Sequence, residues 1–545
     1  MYDYIIAGAG SAGCVLANRL SADPDIRVCL IEAGPPDKSP FIHTPVGILA
    51  LMRSKTLNWG YYTAPQPHMY DRQLFWPRGK TLGGSSSTNA MIYTRGHRWD
   101  YDHWAELGNR GWGYEDMLRY FRKAEHREAG GSDYHGTGGP LNVARLRSPN
   151  PISLAFVEAG VQAGYPRNDD FSGPEQEGVG LYEVTHKNGK RWSAAQAYLR
   201  EAEQRPNLDI ITNALVTRVL LNGKRVEGVE FLRDGTRQVV RASAEVILSG
   251  GAINSPQVLL LSGIGPGEEL QRHGLEVKHE LKGVGRNLQD HLDVLVVQRC
   301  TKPVTYGFGL DSLYRGPKGI YDFFVKKQGM FTTNGAEAGG FIRSSPDEPI
   351  PDLQFHLTAM CLDNHGLNTR LLFQHGYSLH VCELRPKSRG YISLNSADPT
   401  QAAHIQPNYL EAPEDLEKMV KAVKIARNVL AQPALKEYCG DEVFPGKQVQ
   451  SDDEIREFVR RKADTIYHPV GTCKMGNDDM AVVDDRLRVH GLEGLRVVDA
   501  SIMPTLVGGN TNAPTIAIGE KGAEMILEDR KRGSDTVPPA VAVAQ

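Results

Sequence analysis

The chain has 545 residues, which is enough for about two to four domains and for a large core without covalent staples. Sixty-two Lys+Arg against 65 Asp+Glu leave a net charge of −3, so composition gives no basic face for nucleic acid or an anionic membrane. Forty per cent apolar and 23% charged residues exclude a disordered chain, and seven scattered cysteines without a C-x-x-C pair exclude a disulfide framework or a thiolate zinc site.

Residues 4–7 (YIIA) predict a short buried strand, followed by a glycine turn over 8–13. Residues 12–22 predict a helix with Val15, Leu16 and Leu20 on one face, and Arg27 to Glu32 a second apolar strand. This β-α-β order predicts an α/β domain with a parallel sheet. Residues 35–80, rich in Pro, Tyr and Trp, read as an extended excursion, and 126–150 as a loop or crossover. Leu208 to Phe231 alternates like paired strands with a turn at Asn222-Gly223, and Glu245 to Ser249 is a further buried strand running into Gly250-Gly251. An amphipathic helix is expected over 412–431, a late strand over 495–499 and a helix over 515–527, with a fraying tail from Arg530. The longest apolar runs fall far short of the roughly 20 residues a bilayer requires. Met1 is followed by Tyr2-Asp3-Tyr4 with no basic run, so no targeting segment is expected.

Gly8-Ala9-Gly10-Ser11-Ala12-Gly13 fits G-x-G-x-x-G between strand and helix. The first glycine permits the tight turn, the second the approach of a pyrophosphate, and the third close packing of helix on strand. The helix N-terminus offers amide N–H groups to phosphate. Glu32 lies 19 residues after Gly13, at the end of the second strand, where a ribose 2′-hydroxyl is held. An acidic residue there argues against a 2′-phosphate, and so against NADP. The fingerprint alone leaves FAD and NAD open. A second cluster, Gly79 to Met91 (GKTLGGSSSTNAM), can form an anion- or ring-binding nest.

Six stretches together resemble one family: DYIIAGAGSAGCVLANRL (3–20), GKTLGGSSSTNAMIY (79–93), GAINSPQVLLLSGIG (251–265), GVGRNLQDH (283–291), YHPVGTCKMG (467–476), and GLRVVDASIMP with GGNTNAPTIAIGEKGA (494–504, 508–523). The chain resembles the glucose-methanol-choline (GMC) flavin oxidoreductases, and within them the choline dehydrogenase-like alcohol dehydrogenases. The resemblance implies a discontinuous Rossmann-like FAD-binding domain over 1–155, 206–293 and 464–530. It implies an inserted sheet-plus-helix substrate domain over 156–205 and 294–463, and a flexible tail over 531–545. Gly8, Gly10, Ser11, Ala12 and Gly13 would hold the pyrophosphate, Glu32 and Ala33 the adenosine ribose, and Val216 the adenine. Gly83, Gly84, Ser85, Asn89, Ala90, Met91 and Ile92 would line the flavin and its phosphates, with Trp59 nearby. Asp499 and Ala500 would meet the ribityl stretch, and Asn512, Pro514 and Thr515 the isoalloxazine. Thr88 stands where some relatives carry the histidine that links flavin covalently, so the FAD is expected to be non-covalent.

The resemblance also assigns catalysis. His468, before Pro469, would be the base, with an unperturbed pKa near 6.5 suited to proton transfer. Asn512 is expected as its partner, hydrogen-bonding the substrate oxygen as alkoxide character develops. A helix-capping role for Asn512 and a catalytic role for Asn510 are the competing readings. His291 is read as structural or supporting, Tyr467 as a pocket wall or packing residue, and 357–360 as pocket lining. His365, His375 and His380 show no metal-ligand spacing, and no metal is expected. The implied reaction is oxidation of a primary alcohol to the aldehyde, with hydride passing to flavin N5. The expected partners are a small alcohol and a quinone or other acceptor. The expected location is the cytoplasm, with room for peripheral contact at the inner membrane. Choline dehydrogenase and an oxygen-using alcohol oxidase are the neighbouring alternatives; a hydroxynitrile lyase with structural flavin is the alternative from another class.

Overall fold

A computed structural model describes residues 1–307, 309 and 311–535. The strand Tyr2–Ala7 is buried over its last four residues, which is why its apolar run is unbroken rather than alternating. It pairs in parallel with Val28–Ile31 on one side and with the second half of Thr236–Leu248 on the other. Leu208–Ile211 and Leu495–Val497 extend this parallel sheet. The first half of Thr236–Leu248 pairs instead with Arg225–Arg233, and that strand with Ala214–Asn222, as an antiparallel ribbon. The result is one seven-stranded sheet.

The helix Ser11–Leu20 crosses between the first two strands. Gly8 makes the turn at φ 110°, a left-handed conformation that favours glycine. Gly13 lets the helix settle: a Cβ there would stand 1.9 Å from the Gly8 carbonyl oxygen. Gly13→Ala is therefore expected to cost about 1–3 kcal/mol through forced displacement of backbone. A urea-unfolding midpoint equal to that of the unmodified chain would contradict this close approach. The long helix Asn512–Asp535 packs across the first one, tied by Arg19 to Glu520 at 2.6 Å. The first turns of this helix thus lie beside the glycine turn, with Asn512 accepting from the Ser11 hydroxyl.

A second sheet is antiparallel and also seven-stranded, in the order Cys439–Phe444, Leu292–Cys300, Gly376–Glu383, Leu353–Thr358, Ala336–Ile342 and Gly178–Leu181, with Asp464–Thr465 paired to Leu292–Cys300. On Leu353–Thr358 the side chains of Leu353, Phe355 and Leu357 enter an apolar core with the helices Pro151–Gln162 and Pro413–Leu430. The alternate residues, His356 and Thr358, face a cavity between the two sheets.

Several expected boundaries shift. The helix Pro151–Gln162 begins before residue 156, because Asn150 caps it and Ile152 belongs to the second core. Residues Ala194, Ala195, Tyr198, Leu199 and Ala202 pack in the first core, not with the substrate sheet. Within the 35–80 excursion, Tyr61, Met69, Leu74 and Trp76 pack in the second core. The C-terminal helix starts three residues earlier than 515 and continues to Asp535, so the expected fraying from Arg530 and the tail over 531–535 are corrected. Residues 536–545 lie outside the described residues.

Candidate active site

A cavity of about 860 Å³ runs from the glycine turn to the face of the second sheet. At one end, Gly10 precedes the helix in an extended conformation and no side chain caps that N-terminus. The first-turn amide N–H groups therefore have no intrahelical acceptor and lie beside the cavity wall formed by Gly10, Ser11 and Ala12. Glu32 accepts the Ala9 N–H at 2.9 Å and the Gly34 N–H at 2.8 Å. Burial pushes its carboxyl up to about 7, against the pull of those two amides. The second cluster touches the first directly: Gly83 N–H donates to the Ala9 carbonyl at 2.8 Å, and a Cβ on Gly84 would meet the Gly10 Cα at 2.7 Å.

At the other end stands His468, 7% exposed. The loop that carries it is held by a buried carboxylate. Asp290 accepts the His468 backbone N–H at 2.7 Å, the Thr465 hydroxyl at 2.6 Å and the Tyr409 hydroxyl. Tyr467 adopts φ 75°, an uncommon left-handed conformation for an aromatic residue. Its carbonyl accepts from the half-buried Arg78 guanidinium at 2.8 Å, and its hydroxyl bonds His365 Nδ1 at 2.6 Å.

The imidazole's proton order follows from its neighbours. His291 Nε2 lies 3.1 Å from the Leu384 carbonyl, which can only accept, so this nitrogen carries the hydrogen. Burial lowers the His291 pKa to about 3, keeping the ring neutral and its Nδ1 unprotonated. His468 Nδ1 lies 2.9 Å from that Nδ1 and must donate to it. The lone pair of His468 is therefore on Nε2. Burial also holds the His468 pKa well below 6.5, so the ring is a neutral base. Nε2 faces Asn510 Nδ2 at 3.2 Å. Asn510 Oδ1 is already taken by the Thr94 hydroxyl at 3.2 Å and the Gln354 amide at 3.0 Å, which turns its NH₂ towards the histidine.

Two sequence profiles described as GMC oxidoreductase match residues 2–293 and 386–519. The chain is a GMC oxidoreductase. It is 51% identical over 530 residues to alcohol dehydrogenase [acceptor] of Pseudomonas putida, covering 97% of this chain and 96% of that one. It is 49% identical to the mitochondrial choline dehydrogenase of Homo sapiens, covering 96% and 89%. Among solved structures, a formate oxidase of Aspergillus oryzae described in terms of FAD modification superposes with a TM-score of 0.90 at 27% identity, covering 97% of this chain and 99% of that one.

In this GMC oxidoreductase most of the expected contact residues line the cavity. These are Gly8, Gly10, Ser11, Ala12, Glu32, Ala33, Trp59, Gly84, Ser85, Asn89, Ala90, Met91, Ile92, Val216, Asp499, Ala500, Asn512, Thr515 and His468. Three do not. Gly13 lies against Gly8, Gly83 joins the two glycine loops, and Pro514 sits within the first turn of the C-terminal helix. Of the two asparagines weighed as partner to His468, both line the cavity, and they are held differently. Asn512 opens the helix, and its Oδ1 accepts the Ser11 hydroxyl at 2.7 Å; the loop residue Asn510 is the one that reaches the imidazole. Of 357–360, Thr358 and Met360 line the cavity while Leu357 and Ala359 belong to the core. Asp290 and Arg78 were missed. Asp290 stands beside His291 in a quoted stretch, which was the available signal. Among the described residues no group of three His, Cys, Asp or Glu could hold a metal ion.

Proposed function

We propose that this chain is an FAD-dependent alcohol dehydrogenase that converts a primary alcohol to its aldehyde. The observation that carries the reading is the unprotonated Nε2 of a buried neutral histidine beside an amide NH₂, both lining one cavity with the uncapped helix N-terminus. The residues fit FAD: the bare amides of the first helical turn and the close-set Gly10 and Gly84 suit the pyrophosphate, and Glu32, with lone pairs beyond its two amide bonds, suits the ribose. When bound, FAD supplies the two-electron acceptor for the carbinol hydride. The protein's part is to move a proton and to fix charge. His468 Nε2 takes the hydroxyl proton, His291 holds the ring through Nδ1, and Asn510 Nδ2 donates to the oxygen as it gains alkoxide character. Anaerobic addition of primary alcohols is expected to bleach the flavin absorbance. Failure of every member of an alcohol panel to bleach it would overturn the reading.

The FAD is held without a covalent bond. Thr88 lines the cavity and offers only a hydroxyl, already directed to the Ser85 carbonyl at 3.4 Å. Acid precipitation is expected to release the chromophore into the supernatant; flavin retained in the pellet would contradict this. Electrons leave to an acceptor, a reading supported by the Pseudomonas putida relative's name, and we take a quinone as its chemical class. The cytoplasm suits seven unpaired cysteines. Among the described residues no helix is long and apolar enough to cross a membrane.

A further inference from the structure

The cavity face of the second sheet carries polar groups that neither the fold nor the proton transfer uses. His356 and His380 are directly opposed across neighbouring strands. His380 is also opposed to Leu295, and Asp293 lies two residues before Leu295 on the same face. All three line the cavity. Asp293 Oδ2 is bonded to His380 Nδ1 at 2.6 Å. Four other atoms have no partner among the described residues: Asp293 Oδ1, His380 Nε2 and both ring nitrogens of His356. Asp293 and His356 are each 3% exposed.

A buried polar atom left unpaired costs about 1–3 kcal/mol. Four on one wall are a large cost unless water or the polar group of a ligand completes them. Their chemistry restricts that ligand. Burial lowers the His356 pKa to about 3, so its neutral ring offers one donor and one acceptor. Asp293 Oδ1 offers an acceptor. A hydrocarbon chain can satisfy none of these atoms, and a quaternary ammonium group has neither an N–H nor a lone pair to give them. A hydroxyl, donor and acceptor at once, matches the wall.

The strand that carries the wall also ties it to the base. Gln354, on the strand that carries His356, donates to Asn510 Oδ1 at 3.0 Å. His356 is the next residue on that face, about 6–7 Å further along the strand.

We propose that the substrate is an alcohol with a second hydroxyl a few carbons from the carbinol, and that Asp293, His356 and His380 bind this second hydroxyl and set specificity. The inference rests on the alcohol dehydrogenase reading above and extends it to substrate class. His356 is the informative position. It has no partner to strand, so His356→Leu removes two unpaired atoms and is expected to leave the unfolding midpoint unchanged or higher.

The test compares 1-butanol, 1,4-butanediol and choline on the holoenzyme, with kcat/KM per carbinol and anaerobic flavin bleaching as readouts. The diol is expected to exceed 1-butanol by about 10- to 100-fold, the value of one or two buried hydrogen bonds, mainly through KM. In His356→Leu that ratio is expected to collapse to a few-fold. A ratio near one in the unmodified enzyme, a ratio unmoved in His356→Leu, or choline turned over faster than the diol would each overturn the inference. Bleaching by 1-butanol without preference for the diol would sink this inference alone. No bleaching by any of the three would sink the alcohol dehydrogenase reading with it.

Discussion

Replacing His468 by alanine is expected to lower turnover by about 10²–10⁴-fold, the range for a lost general base, while FAD stays bound. Cofactor retention should not depend on the imidazole, because the glycine turn at 8–13 braces directly against Gly83 and Gly84 and needs no contact from His468. The chemistry depends on it heavily. An alcohol proton is too weakly acidic at neutral pH to leave unassisted, and His468 Nε2 offers a lone pair in a fixed orientation beside the Asn510 amide. That orientation has three anchors: Asp290 on the backbone N–H, His291 on Nδ1 and Asn510 at Nε2. Flavin content by absorbance and turnover with a dye acceptor, measured on the same preparation, check both halves of the expectation. Normal turnover in the variant would reduce His468 to a structural residue.

Replacing Asn510 by alanine is expected to cost about 10²–10³-fold in kcat, the loss associated with one donor to a developing oxyanion. The effect should be smaller than that of His468→Ala, because a donor is removed and the proton acceptor remains. Its Oδ1 is held by Thr94 and Gln354, so the amide cannot turn over and the donor is preorganised. Asn512→Ala is the discriminating companion. It breaks a bond to the Ser11 hydroxyl at the cofactor end and should leave kcat within a few-fold of normal. Equal losses in kcat for the two variants would contradict the assignment to Asn510.

The contrast between these two asparagines shows where reading the sequence works. The β-α-β unit was legible because its signals are local: YIIA, three glycines at fixed spacing and RVCLIE each dictate their own conformation. His468 was legible from its stretch. Choosing between Asn510 and Asn512 was not, because it depends on where a helix begins. Residues 508–513 (GGNTNA) hold three residues suited to an N-cap, and a shift of two positions turns a loop side chain into a first-turn one. The seam between the two cores was missed at 194–202 and 61–76 for a related reason. Those segments are apolar enough for either core, and only tertiary packing decides. The polar wall was hidden further still. Asp293, His356 and His380 come from three strands, and their common face exists only through cross-strand register. The alternation in LQFHLT does mark His356 as opposite to the core, but it does not say what lies there.

The central claim is that His468 Nε2 and Asn510 Nδ2 together receive the alcohol oxygen. A crystal structure of the holoenzyme with a slowly oxidised primary alcohol tests it most directly. The expected result is the alcohol oxygen within hydrogen-bond reach of both nitrogens, with His291 still accepting from His468 Nδ1. An alcohol oxygen held by Asn512, or one out of reach of His468, would contradict it.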